Sequence, residues 1–411
     1  MTALSLAGGV HRERLALAAD WLVVAIAAAL PWSTSAVSIL LVIWLIALIP
    51  TLSWGELRRV LATPAGALPV LLVLLGLLGT AWADVSLLER WKGLTSFLKL
   101  LVILPLLIQF SRSPRALTVF TAYVAACVAL LAATAIAHEV PALTHLFKPD
   151  EVLVKNAATQ SNEFVTCIFG LLFVAVDCVA RRRWLWLGAI IVVILAMLAN
   201  MFLMSTGRTA LVIIPFLLLL LAAKKLDARG MAVVFVAAVV LAAAGWFSSP
   251  YLRSRIDNIW VDLQAYQTSD QNTSTSERLE FWKKSLQFIG EAPVLGHGTG
   301  TITALFEQSA AGQTGLAGTV ATNPHNQTFA VAIQLGVLGA VVLWAMWIAH
   351  LLLFRGGGLI EWVGLIVVAQ NILGSLFNSH LFDFVQGWVY VVGVGVAGGA
   401  ALKRVLSERA A

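Results

Sequence analysis

Charge is what this chain has least of. Only 12% of its 411 residues are Asp, Glu, Lys or Arg, against 60% hydrophobic residues and a mean hydropathy of +0.90. A soluble globule carries about twice that charged fraction, so a water-soluble domain is excluded and a polytopic membrane protein is predicted. The net charge of +6 would point to nucleic acid in a soluble chain. Here the cations fall in short turns between apolar runs, where they set orientation, and no nucleic-acid partner is expected. Cysteine is also scarce: Cys127, Cys167 and Cys178 all lie inside apolar runs, which leaves no disulfide framework and no Cys-x-x-Cys site. An Asp-x-Asp pair, a His-Glu-x-x-His motif and a Gly-x-Ser-x-Gly motif are all missing. No metal, no cofactor and no serine nucleophile are therefore expected. No repeat is visible at solenoid spacing, and the one long polar interval occurs once, which counts against a transporter built from two similar halves.

What is present is a series of apolar runs. A spanning helix needs about 20 apolar residues, and dividing the chain at charged or Pro/Gly-rich breaks predicts about twelve spans. They lie near 15–32, 35–50, 65–83, 94–110, 115–137, 161–180, 184–204, 209–223, 230–247, 327–354, 359–377 and 384–402. The expected fold is an all-α polytopic membrane bundle, one domain over 1–411 with a large helical loop at 248–326. His11, Arg12 and Arg14 precede the first run with no small-residue cleavage site ahead of a soluble domain, so that run reads as a membrane helix and not a cleavable leader. Alternate turns carry Arg12 and Arg14, Arg58-Arg59, Arg112 with Arg115, Arg181 to Arg183, Lys224-Lys225 with Arg229, Arg355, and Lys403-Arg404 with Arg409. About sixteen of the 27 Lys+Arg thus share one side. That side, with both termini, is expected to be cytoplasmic. The long loop is then outside, with a loop from 138 to about 160 and another holding Asp84, Glu89, Arg90, Trp91 and Lys92.

Two helices can be read inside the long loop. Ser249-Pro250 fits a cap and first turn, and Leu252, Ile256, Ile259, Leu263 and Tyr266 recur at helical spacing. After a polar break, Ser274 with Glu277 fits a capping box. Leu279, Trp282, Leu286 and Ile289 then form an apolar stripe that Gly290 and Pro293 end. Arg278 falls in the first turn of this second helix, where the dipole is already positive; a nearby anion would explain it.

The candidate site residues gather on the outer side. Arg208 closes Ser205-Thr206-Gly207-Arg208, where a tight turn would aim its guanidinium and the following helix amides at one anion; the alternative is an arginine that snorkels to headgroups. Arg278 is either a phosphate ligand or half of a surface ion pair. A lipid diphosphate carries two anionic groups at headgroup depth, which a pair of planar guanidinium forks suits, and Lys92 and Arg90 could add charge at that depth. Gly296-His297-Gly298-Thr299-Gly300 leaves amides uncovered, as an anion nest or an ordinary flexible loop would. His325 lies in Asn323-Pro324-His325-Asn326, just before an apolar run, where an imidazole could take a proton from a hydroxyl or merely cap the loop. Asn326 supplies hydrogen-bonding groups beside it. His380, in Phe377-Asn378-Ser379-His380, is a second candidate, and Asp383 could orient an imidazole if the two were close.

Together Ser205-Thr206-Gly207-Arg208, Ser276-Glu277-Arg278 and Asn323-Pro324-His325-Asn326, in this order and on one side of a twelve-span layout, resemble the O-antigen ligase family, within the wider group of membrane O-antigen polymerases and O-oligosaccharyltransferases. The resemblance implies a multi-pass protein of the bacterial inner membrane with a periplasmic active site. It implies metal-independent transfer of a glycan from an undecaprenyl diphosphate carrier to a lipid A-core acceptor among the membrane lipids. Arg208 and Arg278 would hold the diphosphate and His325 would serve the acceptor hydroxyl. A polymerase of the same architecture and a lipid-linked glycan transporter are the alternatives.

Overall fold

The computed structural model describes residues 3–146, 152–204, 207–248, 253–254, 257 and 273–410. Among these residues the regular structure is entirely helical. The first half runs α1 (Ala3–Ala29), α2 (Thr34–Leu48), α3 (Trp54–Leu61), α4 (Pro64–Gly79), α5 (Leu87–Leu98), α6 (Ile103–Arg112), α7 (Ala116–Glu139) and α8 (Ala157–Ala180). The second runs α9 (Trp184–Ala199), α10 (Arg208–Lys225), α11 (Ala228–Ser248), α12 (Ser274–Glu291), α13 (Ile302–Ala310), α14 (Gln327–Leu353), α15 (Leu359–Gly374) and α16 (Phe384–Ala410).

Local chemistry places the helix starts. Thr63 caps α4 with Pro64 in its first turn, Ser86 and Glu89 close a capping box on α5, and Asn156 caps α8. Seven described helical segments are long and apolar enough to cross a membrane, or eight if α3 and α4, bent by 88°, form one span. About twelve were expected. The expected span at 94–110 is one run in which the 3-10 turn Lys99–Val102 joins α5 to α6. The others fall on α1, α10, α11 and α15, of which α15 has only 16 residues.

Two large side chains of the bundle core find partners for their polar atoms inside it. Buried Trp44 donates its indole N–H to Gln109 Oε1 at 2.7 Å, and buried Trp362 donates to the Phe169 carbonyl at 2.8 Å. In hydrocarbon such groups find no water, so each buried donor needs a protein partner. Close packing fixes direction. Gly387 lies on Lys99, Gly395 on Leu106 and Gly399 on Phe110, so α16 runs parallel to the α5–α6 run.

That parallel run gathers the basic turns at one end. There Arg112 reaches Glu56 at 3.4 Å, Arg115 reaches Asp20 at 3.1 Å, Lys225 reaches Asp177 at 3.5 Å and Arg404 reaches Glu361 at 2.7 Å. Arg12 and Arg112 both donate to the Thr51 carbonyl, at 3.2 and 3.1 Å. The cations that the sequence assigns to one side thus share one end of the bundle.

At the opposite end the long loop forms a small body of its own. α12 and α13 bury Phe281, Phe288 and Phe306 against Ala321 and Ile333. Phe306 meets the other two rings edge-on, with centroids 5.5 and 5.2 Å away. Each buried ring contributes about 1.5–3 kcal/mol. Lys284 pins the 3-10 turn Gly315–Gly318 onto α12 through the Ala317 carbonyl at 2.6 Å. A break in α14 joins this body to the bundle. Gly336 has φ +62°, and a side chain there would strike the Val294 carbonyl, so the chain needs glycine at this point. The break frees the Ile333 and Gln334 carbonyls, which accept from the amides of His297 at 2.8 Å and Gly298 at 2.9 Å.

Candidate functional site

The cap of α12 lies one residue earlier than the sequence suggests. Thr273, not Ser274, caps the helix: its hydroxyl accepts from the Ser276 amide at 3.2 Å, and Ser276 Oγ accepts from the Thr273 amide at 2.9 Å. Serine takes the reciprocal role expected of Glu277. That leaves the Glu277 carboxylate in the first turn, where the helix dipole favours it. Arg278 and Phe281, three residues apart, share one face, and that face meets His325. The Phe281 ring lies nearly parallel to the imidazole, 14° apart with centroids 6.2 Å apart. The Arg278 charge is close enough to act on the same ring. The expected helix over 252–266 lies outside the described residues.

His325 is held in an uncommon backbone conformation, φ +53°. Left-handed backbone is costly for a residue with a side chain and persists where its surroundings over-determine it. Here Asn323 Oδ1 accepts the His325 amide at 2.9 Å and the Ser379 hydroxyl at 2.6 Å. Asn326 then caps α14, its Oδ1 accepting from the Phe329 amide at 3.1 Å and its Nδ2 donating to the Leu376 carbonyl at 3.2 Å. Buried Gln327 accepts the Leu381 and Phe382 amides at 3.0 and 3.2 Å. The 375–383 loop and the His325 turn are therefore laced into one unit.

This lacing decides the chemistry of the ring. Nδ1 of His325 meets Asn378 Oδ1 at 3.1 Å, and Asn378 Nδ2 donates to Asp383 Oδ2 at 2.9 Å. A carboxylate only accepts, so it fixes which way the Asn378 amide points. Asn378 Oδ1 also accepts from Asn323 Nδ2 at 3.1 Å and from the Ser379 amide at 2.9 Å. An amide oxygen can only accept from the imidazole, so Nδ1 carries the proton and Nε2 keeps its lone pair. Asp383 does not touch the ring; it orients the ring through Asn378. Burial of Asp383 raises its carboxyl to about 6 while the Lys99 charge pulls it down, so the carboxylate form prevails at neutral pH.

Burial lowers the His325 pKa below the ordinary imidazole value, the Arg278 charge lowers it further, and the Asn378 bond opposes them. The ring is therefore neutral at neutral pH, as a proton acceptor must be. It should titrate below 6.5, the value ordinary for a histidine. Replacing Arg278 with Gln removes one of the depressing charges, so the 15N-monitored titration of His325 should move to higher pH. An unchanged midpoint would mean that the guanidinium does not act on this ring.

The remaining expected residues divide by what they bond. Ser205 and Thr206 lie outside the described residues. Gly207 donates its amide to Ser161 Oγ at 3.1 Å, so the start of α10, whose first residue is Arg208, rests on the first turns of α8. The Arg208 side chain is also outside the description. From α8, Asn162 accepts Gln370 Nε2 of α15 at 2.6 Å on its carbonyl, and Ser375, just past α15, accepts the Gln327 amide at 2.9 Å. The α10 start and the His325 turn are thus bonded through two intervening helices at the same end.

Arg90 spends its guanidinium on the Val85 and Thr80 carbonyls, both at 3.0 Å. Lys92 is exposed on α5, beside Gly93, which packs on Gly300. His297 Nε2 meets the Phe288 carbonyl at 2.8 Å. The glycine-rich segment around it is no open nest, because Thr299 donates its amide to Gly79 at 3.0 Å and Gly300 its amide to Gln334 Oε1 at 2.8 Å. His380 is buried against Gly374, and burial pushes it down to about 4. The sequence reading missed Asn378, Gln327, Phe281 and Lys99. A signal for the last was available, since an ionisable residue alone in an apolar run is usually functional or paired.

An all-helical membrane protein that sets a neutral imidazole beside a guanidinium at one end of its bundle has the parts for group transfer at a membrane surface. Residues 195–344 match the family model described as O-antigen ligase, a stretch that takes in Arg208, Arg278, His297 and His325. The matched stretch is 150 of the 411 residues, and over it the chain is similar to that family. No curated protein matches the chain.

Proposed function

We propose that this protein is an inverting, metal-independent glycosyltransferase that moves O-antigen glycan from undecaprenyl diphosphate to lipid A-core at the periplasmic face of the bacterial inner membrane. The observation that carries the reading is His325 Nδ1 lying 3.1 Å from Asn378 Oδ1, with the Arg278 charge acting on the same ring. In the step itself, the acceptor hydroxyl oxygen attacks the anomeric carbon as its proton passes to His325 Nε2. The bond from that carbon to the diphosphate oxygen breaks, and its electron pair leaves on the diphosphate. Arg278 and Arg208 meet the charge that grows there, which is where preorganised donors lower a barrier most. Attack opposite the leaving group inverts the anomeric centre with no covalent intermediate.

Lys92, exposed on α5, would add charge for the donor. Arg90, His297 and Asn326 bond protein groups and act by shaping the site. The gathering of basic turns at the other end supports a cytoplasmic location for that end. Purified protein in proteoliposomes with lipid-linked glycan and lipid A-core should yield a product whose mass is acceptor plus glycan. Lengthened lipid-linked glycan would mean a polymerase, and glycan moved across the bilayer with no new bond would mean a transporter.

A further inference from the structure

Lys99 stands alone in an apolar run, in the turn between α5 and α6, and its ammonium donates to the Phe382 carbonyl at 2.9 Å and the Asp383 carbonyl at 3.0 Å. Phe97, two residues earlier at the end of α5, meets Phe382 edge-on with centroids 4.8 Å apart, so two neighbouring side chains hold the Phe382-Asp383 segment. Gly387 lies directly against the ammonium, and its amide is bonded to the Asp383 carbonyl at 3.1 Å. A cation here is doubly costly: it is a charge among apolar helices, and it sits at the N-terminus of α16, where the dipole is positive. The two carbonyls offset part of that cost, and the charge of the Asp383 carboxylate, on the residue that orients Asn378, offsets more.

We propose that Lys99 is a positioning residue for His325, clamping the Phe382-Asp383 peptide and balancing the Asp383 carboxylate so that Asn378 presents its oxygen, and not its amide N–H, to the imidazole. The proposal rests on the reading of His325 as the base. The groups that bear on the carboxylate are Lys99 from the α5–α6 turn and Asn378 from its own loop, with His325 and Arg278 beyond Asn378 and buried, neutral His380 in the same loop. Burial already lifts Asp383 to about 6 against the pull of Lys99. Loss of that cation moves the carboxyl pKa further up, and a protonated Asp383 can donate to Asn378 Oδ1 in competition with the Asn323 and Ser379 donors that hold that oxygen. The amide then turns its N–H groups to His325, the ring proton moves to Nε2, and the nitrogen facing the substrate can no longer accept.

The test reads the tautomer directly. Protein labelled with 15N-histidine in nanodiscs, with His325→Gln to assign the signal, should show His325 protonated on Nδ1. In Lys99→Met the signal should shift toward Nε2 protonation, while Lys99→Arg keeps the native form. Should the Met variant fail to fold, Lys99→Gln retains a donor for the carbonyls without the charge and carries the same expectation. Transfer by the neutral variants should drop about tenfold or more in kcat with little change in donor KM, the scale seen when a group that orients a reacting ligand is lost. A native tautomer in Lys99→Gln overturns the proposal. Full transfer by His325→Ala would instead remove the base reading while leaving the tautomer result intact.

Discussion

His325→Ala is expected to lose about a hundred- to ten-thousandfold in glycan transfer, the usual contribution of a positioned general base, while still binding the lipid-linked donor. Loss of the rate without the binding is the diagnostic part. His325 faces the acceptor hydroxyl in this account, whereas the donor is held by guanidinium groups elsewhere in the site. The backbone gives a reason to include a second variant. His325 sits at φ +53° with its amide on Asn323, and asparagine tolerates that conformation well. His325→Asn should therefore keep the turn and the α14 cap while still losing transfer. Thermal unfolding near wild type in the Asn variant, with transfer absent, would separate chemistry from folding. Wild-type turnover in either variant would remove the base assignment.

Arg278→Ala should cost about 1.5–3 kcal/mol, the range for a hydrogen bond to a charged group, read as roughly ten- to a hundredfold in donor affinity or in the rate of diphosphate departure. Lysine should restore only part of it, because an ammonium offers a point charge where the fork grips two oxygens at once. A second consequence distinguishes Arg278 from an ordinary surface arginine. Its charge acts on His325, so its loss should also raise the imidazole pKa. An alanine variant with normal donor affinity and normal transfer would place the diphosphate elsewhere.

The proposed site residues stand out in the sequence because polar groups in a mostly apolar chain have few innocent explanations. Arg278 at a helix start and His325 behind a proline both stand out by local rules. The base assignment was not legible in the same way. It depends on Asn378 and Asp383, more than fifty residues further on, which reach His325 only because Gln327 and Ser375 bond the two loops together. A short-range rule also fails where two residues compete for one role, as Thr273 and Ser274 do for the α12 cap.

The glycine-rich segment shows a different limit. Its uncovered amides were visible, but the partners of two of them, His297 and Gly298, are carbonyls released by the break at Gly336 inside what reads as one continuous apolar helix. Hydrophobic periodicity carries no signal for such a break. The number of spans was the least legible feature, because residue count alone does not separate a crossing helix from a bent pair such as α3 and α4.

In the proposed site one diphosphate lies between Arg278 and the start of α10, with His325 across the transferred sugar from it. An experimental structure of the protein with undecaprenyl diphosphate bound tests this most directly. Phosphate oxygens are expected in contact with the Arg278 guanidinium and the Arg208 end of α10, and His325 Nε2 open toward the space the sugar would fill. A diphosphate bound away from both arginines, or an imidazole whose Nε2 is covered by protein, would contradict it.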